Sequence, residues 1–253
     1  MADAISSFGG PVTSTCEWCE KNYVYFSHIA EFFNTLSNIP CIVLALIGLV
    51  NSLRERFERR FSILHVSNMI LGIWNVLYHA TSYRVLHQSD ETPVIWETLL
   101  YIYVLYSPDW QYRRTMPTFL VLYGAIFAVV HSHLQLRIGF KVHFVILCLL
   151  CIPRMYKYYL YTTNLHAKQV AKLYAVTLVV GTVCWLFDRV LCKESWLVNP
   201  QGHAMWHIFM GFNSYFANTF LMFCRAQQRG WAPRILHYFG ILPYVKIRKP
   251  KVQ

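Results

Sequence analysis

What most constrains this chain is how its apolar residues are gathered. Seven stretches, at about 32–52, 61–82, 93–108, 116–133, 139–156, 169–190 and 203–224, are each long enough to cross the ~30 Å hydrocarbon core of a bilayer. The connections are too short for a soluble domain, and no repeat or low-complexity tract separates them. The expected fold is therefore all-α, an integral membrane bundle of seven transmembrane helices in one body. With 56% hydrophobic and 14% charged residues, a disordered chain is excluded. The net charge of +11 reads as topology, because the basic residues lie between the apolar runs and no nucleic-acid motif is present.

Placing the N-terminus in the lumen puts 17 of the 23 Lys and Arg on the cytosolic side, Arg54, Arg60, Lys157, Arg225 and Lys246 among them. The predicted organisation is a lumenal segment 1–31, a transmembrane domain 32–225 and a cytosolic basic tail 226–253. No cleavable signal peptide is expected, since residues 1–31 lack a basic stretch leading into an apolar one. The tail mixes Trp231, Tyr238, Phe239 and Tyr244 with basic residues, as a chain lying along headgroups does. Its end, Lys249-Pro250-Lys251-Val252-Gln253, resembles a dilysine retrieval signal, which points to the endoplasmic reticulum membrane with the Golgi as a second station. A positive-inside tail without a signal is the plain alternative.

Polar residues inside apolar runs need a reason. His203 and His207, at i and i+4, place two imidazoles on one helix face, and His79 falls at the same depth near the end of the second span. Three imidazoles suit a catalytic zinc with an open fourth position; three histidines hydrogen-bonded separately in the bundle are the alternative. Asp90, just before Pro93 opens the third span, is placed to take a proton from an activated water, or simply to sit at a helix N-terminus. Glu97 and Asp188 are further intramembrane candidates, although Asp188 has Arg189 as a local partner. Glu17-Trp18-Cys19-Glu20-Lys21-Asn22, followed by Glu31, gathers hard oxygen ligands that suit calcium, or else forms a solvated acidic patch. Cys41, Cys148, Cys151, Cys184 and Cys224 fall in spans as packing residues. Of the lumenal Cys16, Cys19 and Cys192, two are able to join in an oxidising lumen, with one left over.

Taken together, five segments resemble the alkaline ceramidases, seven-span zinc amidases of the superfamily that includes the adiponectin receptors. These are Ser14-Thr15-Cys16-Glu17-Trp18-Cys19-Glu20-Lys21-Asn22, then Ala30-Glu31-Phe32-Phe33-Asn34-Thr35-Leu36-Ser37-Asn38, Tyr78-His79 with Asp90-Glu91-Thr92-Pro93, Trp185-Leu186-Phe187-Asp188, and His203-Ala204-Met205-Trp206-His207. The resemblance implies zinc ligands at His79, His203 and His207, with Asp90 moving the proton of the metal-bound water. It implies a calcium site at Glu17, the Trp18 carbonyl, Glu20, Asn22 and Glu31, and a disulfide between Cys19 and Cys192. It departs at Trp74 and Asn75, where the family carries Gly-Ser four residues before the zinc histidine. Asn75 still offers an N–H to a developing oxyanion, whereas Trp74 adds bulk near a lipid-sized cavity.

The implied activity is hydrolysis of ceramide or phytoceramide to a sphingoid base and a fatty acid, with zinc and calcium as cofactors, and the sequence identifies no protein partner. A receptor-like or inactive zinc-binding paralogue is the alternative. A transporter is disfavoured by the expectation that the ionisable residues stay on the lumenal side.

Overall fold

The computed structural model describes residues 18–82, 84–108, 115–134, 137–192 and 201–249, leaving aside the side chains of 84–90, 137, 138 and 191. The expectations for Cys16, Glu17, the Asp90 side chain and Pro250–Gln253 lie outside these residues. The described elements are α1 (Phe32–Leu36), α2 (Ile39–Arg54), α3 (Arg59–Thr81), α4 (Arg84–Tyr106), α5 (Met116–Leu134), α6 (Arg137–Tyr161), α7 (Leu165–Leu191), α8 (Gly202–Gln228), β1 (Ala232–Tyr238) and β2 (Leu242–Arg248).

Helices dominate, as expected, and five helical segments are long and apolar enough to cross a membrane: Phe32–Arg54, Arg59–Thr81, Met116–Leu134, Gly139–Tyr161 and Leu165–Val190. Helices α4 and α8 have the length but carry more polar side chains. The α2 surface shows the partition directly. Ile39, Val43, Leu46, Val50 and Leu53 recur at three- and four-residue spacing on its exposed face, while Leu44, Ala45, Gly48, Asn51 and Ser52 turn inward.

Two boundaries differ from the sequence reading. The first span is interrupted at Ser37–Asn38, because Pro40 has no N–H to give the Leu36 carbonyl and its ring crowds that turn. Ser37 Oγ and Asn38 Nδ2 both take up the Asn34 carbonyl, each at 2.8 Å. The third span does not open at Pro93. Helix α4 begins at Arg84 with Pro93 inside it, which places the Asp90 backbone within the helix. Apolarity marks where a helix enters lipid, not where its backbone hydrogen bonds begin.

The all-α expectation also needs correction. The tail from 226 continues α8 to Gln228 and then folds back as an antiparallel hairpin, paired from Tyr238↔Leu242 to Ala232↔Arg248. Phe239 (φ 51°) and Gly240 (φ 75°) make the turn between the strands, where Gly adopts the left-handed region without strain. Ile235 and Val245 are buried among Phe57, Phe61, Phe220 and Phe223, so the hairpin's inner face completes the core at this end of the bundle. Asn51 is its anchor: Nδ2 donates to the Val245 carbonyl at 2.9 Å and Oδ1 accepts the Val245 N–H at 3.3 Å. Glu55 accepts from Lys246 Nζ at 2.8 Å and from the Ile247 N–H at 3.0 Å. Seven-residue strands broken up by charge carry a weak signal in sequence, and the partner of Asn51 lies 194 positions away.

At the same end Glu58 gathers Arg60, Arg225 and Arg229. Burial works to raise its carboxyl, but hydrogen bonds from Arg225 and Arg229 and the Arg60 charge outweigh it and hold Glu58 below the usual carboxylate range.

Candidate metal centre and its cavity

Helix α3 ends at Thr81 with Ser82 in the left-handed region (φ 49°), which leaves its last carbonyls without helical partners. The N-terminal segment supplies them: Glu31 N–H donates to the His79 carbonyl at 3.0 Å and Ala30 N–H to the Ala80 carbonyl at 2.9 Å. This strand-like docking sets Glu31 beside His79. The His79 ring places Nδ1 2.6 Å from Glu31 Oε2, a neutral imidazole N–H donating to the carboxylate. Burial pushes the Glu31 carboxyl up to about 7, partly offset by a hydrogen bond from Asn34.

The opposite nitrogen of His79 faces α8. His207 Nε2 lies 3.0 Å from His79 Nε2 and 3.1 Å from His203 Nε2, and all three side chains are buried. Three Nε2 atoms about 3.3 Å apart are what a tetrahedral ion with bonds near 2.0–2.1 Å requires. The donor set therefore fits a metal, and the carboxylate behind His79 is the usual second partner of a metal-bound imidazole.

Close approach of α7 and α8 seats the other two histidines. A Cβ at Gly202 would fall 2.6 Å from the Cys184 carbonyl, so only glycine permits this crossing. Asp188 then caps α8, its Oδ1 accepting the His203 N–H at 3.1 Å while Oδ2 accepts the Cys19 N–H at 3.4 Å. Cys19 and Cys192 are joined by a disulfide, which tethers the N-terminal segment to the end of α7. Trp18 stacks on the His203 ring at 3.5 Å, with the Arg189 guanidinium over the indole at 5.0 Å.

The residues expected at a calcium site are partly brought together. Glu20 spans the start of α1, its oxygens accepting the Phe33 and Asn34 N–H groups at 2.7 and 2.8 Å. Its carboxyl is raised by burial against those two hydrogen bonds, and the Glu31 charge raises it further. Asn22 Oδ1 accepts from Ser82 Oγ at 3.5 Å. Asn34, which the sequence reading did not single out, adds a buried Oδ1 without a hydrogen-bond partner. Carboxylates with spare lone pairs beside an orphaned amide oxygen fit a hard cation.

A cavity of about 200 Å³ opens beside His207. Asn75 lines it, with Nδ2 donating to Asn38 Oδ1 at 3.3 Å, so one amide N–H of Asn75 is left to point elsewhere. Trp74 is not among the lining residues. Glu97 and Ser214 also line it, and Ser214 hydrogen-bonds the Glu97 carboxyl. Deeper still are His65, Asn68 and Asn218. Of these only His65 is ionisable, and it lies fourteen residues along α3 from His79. His65, Asn68, Asn75 and His79 share one face of α3, a spacing that was legible in the sequence but is masked there by the surrounding apolar residues. On α4, Glu91 pairs with His131 of α5 at 2.7 Å.

A helical bundle with membrane-length apolar helices, a three-histidine candidate metal centre and a cavity beside it has the features of a multi-pass membrane protein with a candidate metal site among its helices. The ceramidase family model matches residues 10–246, and the chain belongs to the ceramidase family. It is 69% identical to an alkaline ceramidase of Arabidopsis thaliana, with 100% of each chain covered. It is 26% identical to alkaline ceramidase 3 of Mus musculus, covering 97% of each, and 28% identical to an alkaline ceramidase of Drosophila melanogaster, covering 95% of this chain and 90% of the other.

Proposed function

We propose that this chain is a zinc-dependent ceramidase, cleaving the amide of ceramide or phytoceramide to a sphingoid base and a fatty acid. The observation that carries this is the convergence of His79, His203 and His207, the last of which lines a cavity between the helices. Full-length identity of 69% to an alkaline ceramidase supports the substrate.

A zinc ion held by the three imidazoles supplies Lewis acidity for an amide carbonyl and lowers the pKa of a water. Around it the protein does the positioning. Glu31 fixes the His79 tautomer, Asp188 and Gly202 seat His203, and Trp18 holds the His203 ring against rotation. The remaining amide N–H of Asn75 serves the carbonyl oxygen as negative charge develops there. Asp90 takes the proton from the attacking water and passes it to the leaving nitrogen. The C–N bond breaks, and the products leave as carboxylate and amine.

Seven helices crossing the membrane, with α4 and α8 included, the N-terminus lumenal and the C-terminus cytosolic, agree with the basic-residue bias and with a substrate that never leaves lipid. Calcium held by Glu17, the Trp18 carbonyl, Glu20, Asn22 and Glu31 braces the segment that carries Glu31. The lysines near the C-terminus favour the endoplasmic reticulum. The test is release of sphingoid base from a mixed ceramide and phytoceramide panel by purified protein with calcium, and His207→Ala as control. Release lost in the variant upholds the reading. Release only from Asn75→Ser identifies an inactive zinc-binding paralogue, and silence from both points to a receptor-like protein.

A further inference from the structure

The inner end of the cavity is the wrong chemistry for the end of a hydrocarbon chain. His65 on α3 is 1% exposed and neither ring nitrogen has a hydrogen-bond partner. One turn along, Asn68 is 9% exposed with Oδ1 unpaired, and across the cavity on α8 Asn218 is 1% exposed with Nδ2 unpaired. All three line the cavity that opens beside His207. The His65 ring packs against Gly48 of α2, where a Cβ would lie 2.3 Å from it.

Unpaired buried polar atoms are tolerated where water reaches them, and each resists an apolar group that strips that water without replacing its hydrogen bonds. From His79 to Asn68, and from His207 to Asn218, is eleven residues, about 16 Å along the helix axis, and from His79 to His65 is fourteen, about 21 Å. One leaflet's hydrocarbon is roughly 15 Å deep, half of the ~30 Å core. A chain of ordinary membrane length anchored at the metal centre thus ends above these residues, and a longer one runs into them.

We propose that His65, Asn68 and Asn218 form a polar floor that sets the upper length of the hydrocarbon chain the cavity accepts. The inference rests on the ceramidase reading for its ligand class, a long-chain N-acyl lipid. It adds the residues that decide between chain lengths. The floor acts on the far end of the chain and leaves the reacting amide untouched.

The test uses the full-length protein in lipid nanodiscs with ceramides whose acyl chains run from short to very long. Wild type is compared with His65→Leu and Asn218→Leu, reading both base release and thermal stabilisation by each ceramide. Wild type is expected to lose on the order of tenfold in kcat/KM once the chain reaches the floor. Either leucine variant moves that fall to longer chains and leaves shorter substrates unchanged. The same length profile in the wild type and in a variant that keeps its metal content and Tm overturns the floor, as does a wild-type rate that does not depend on length. A length-dependent stabilisation without any base release upholds the floor and overturns the ceramidase reading instead.

Discussion

Glu31 holds His79 by its outer nitrogen: Oε2 lies 2.6 Å from Nδ1, while Nε2 of the same ring faces His207 at 3.0 Å. A residue placed by its sequence neighbours in an oxygen-ligand cluster is thus also the partner of the imidazole centre. One carboxylate thus joins the three imidazoles to the oxygen-rich cluster of Glu20, Asn34 and Glu31.

Glu31→Gln is expected to keep the backbone bonds to His79 and Ala80 and lose the charged acceptor. Zinc affinity should fall about 10–100-fold, measured by competition with a chelator of known affinity. Unchanged affinity would show that the His79 tautomer is held by something else.

His203→Ala or His207→Ala removes one of three nitrogens from the centre. Each variant should lose its bound zinc by elemental analysis and its base release with it. Stripping wild-type protein with a strong chelator should reproduce the loss, and adding zinc back should reverse it.

The Cys19–Cys192 disulfide closes a separation of 173 residues and keeps Trp18 against His203. The Cys19→Ser, Cys192→Ser double variant is expected to lose about 2–4 kcal/mol of stability, read from the shift in unfolding midpoint. Zinc affinity should weaken as well, because Trp18 is released from the ring it stacks on.

Removing the Asn51 side chain leaves both the N–H and the C=O of Val245 buried and unpaired. Asn51→Ala should cost about 2–4 kcal/mol, and cleavage after Arg234 or Lys246 by trypsin should appear well before the bundle unfolds. Equal protease resistance in the variant and wild type would rule out Asn51 as the anchor of the hairpin.

Glu58 gives the pH-dependent term. Its carboxyl is held below its ordinary value, so the ion pairs with Arg60, Arg225 and Arg229 stabilise the fold above the unfolded carboxylate pKa of about 4.3 and fade as the pH falls through the lowered folded value. Thermal midpoints of wild type and Glu58→Gln should differ at neutral pH and converge in acid. A difference that persists unchanged into acid would remove Glu58 as the titrating group.

Much of this protein is determined by sequence alone. Long apolar runs dictate helices, because a backbone in lipid must satisfy its own hydrogen bonds. The i, i+4 pair His203 and His207 must share a helix face wherever α8 is placed. Tertiary structure decides what depends on residues far apart in the chain. It sets Glu31 against His79, 48 positions on, chooses Cys192 for Cys19, and gives Asn51 the hairpin edge to hold. It also lines up His65, Asn68 and Asn218 along the cavity that His207 lines. A polar residue on an apolar helix reads the same in sequence whether it faces a partner, a cavity or lipid. Only packing fixes which neighbours remove its water, and so what that residue does.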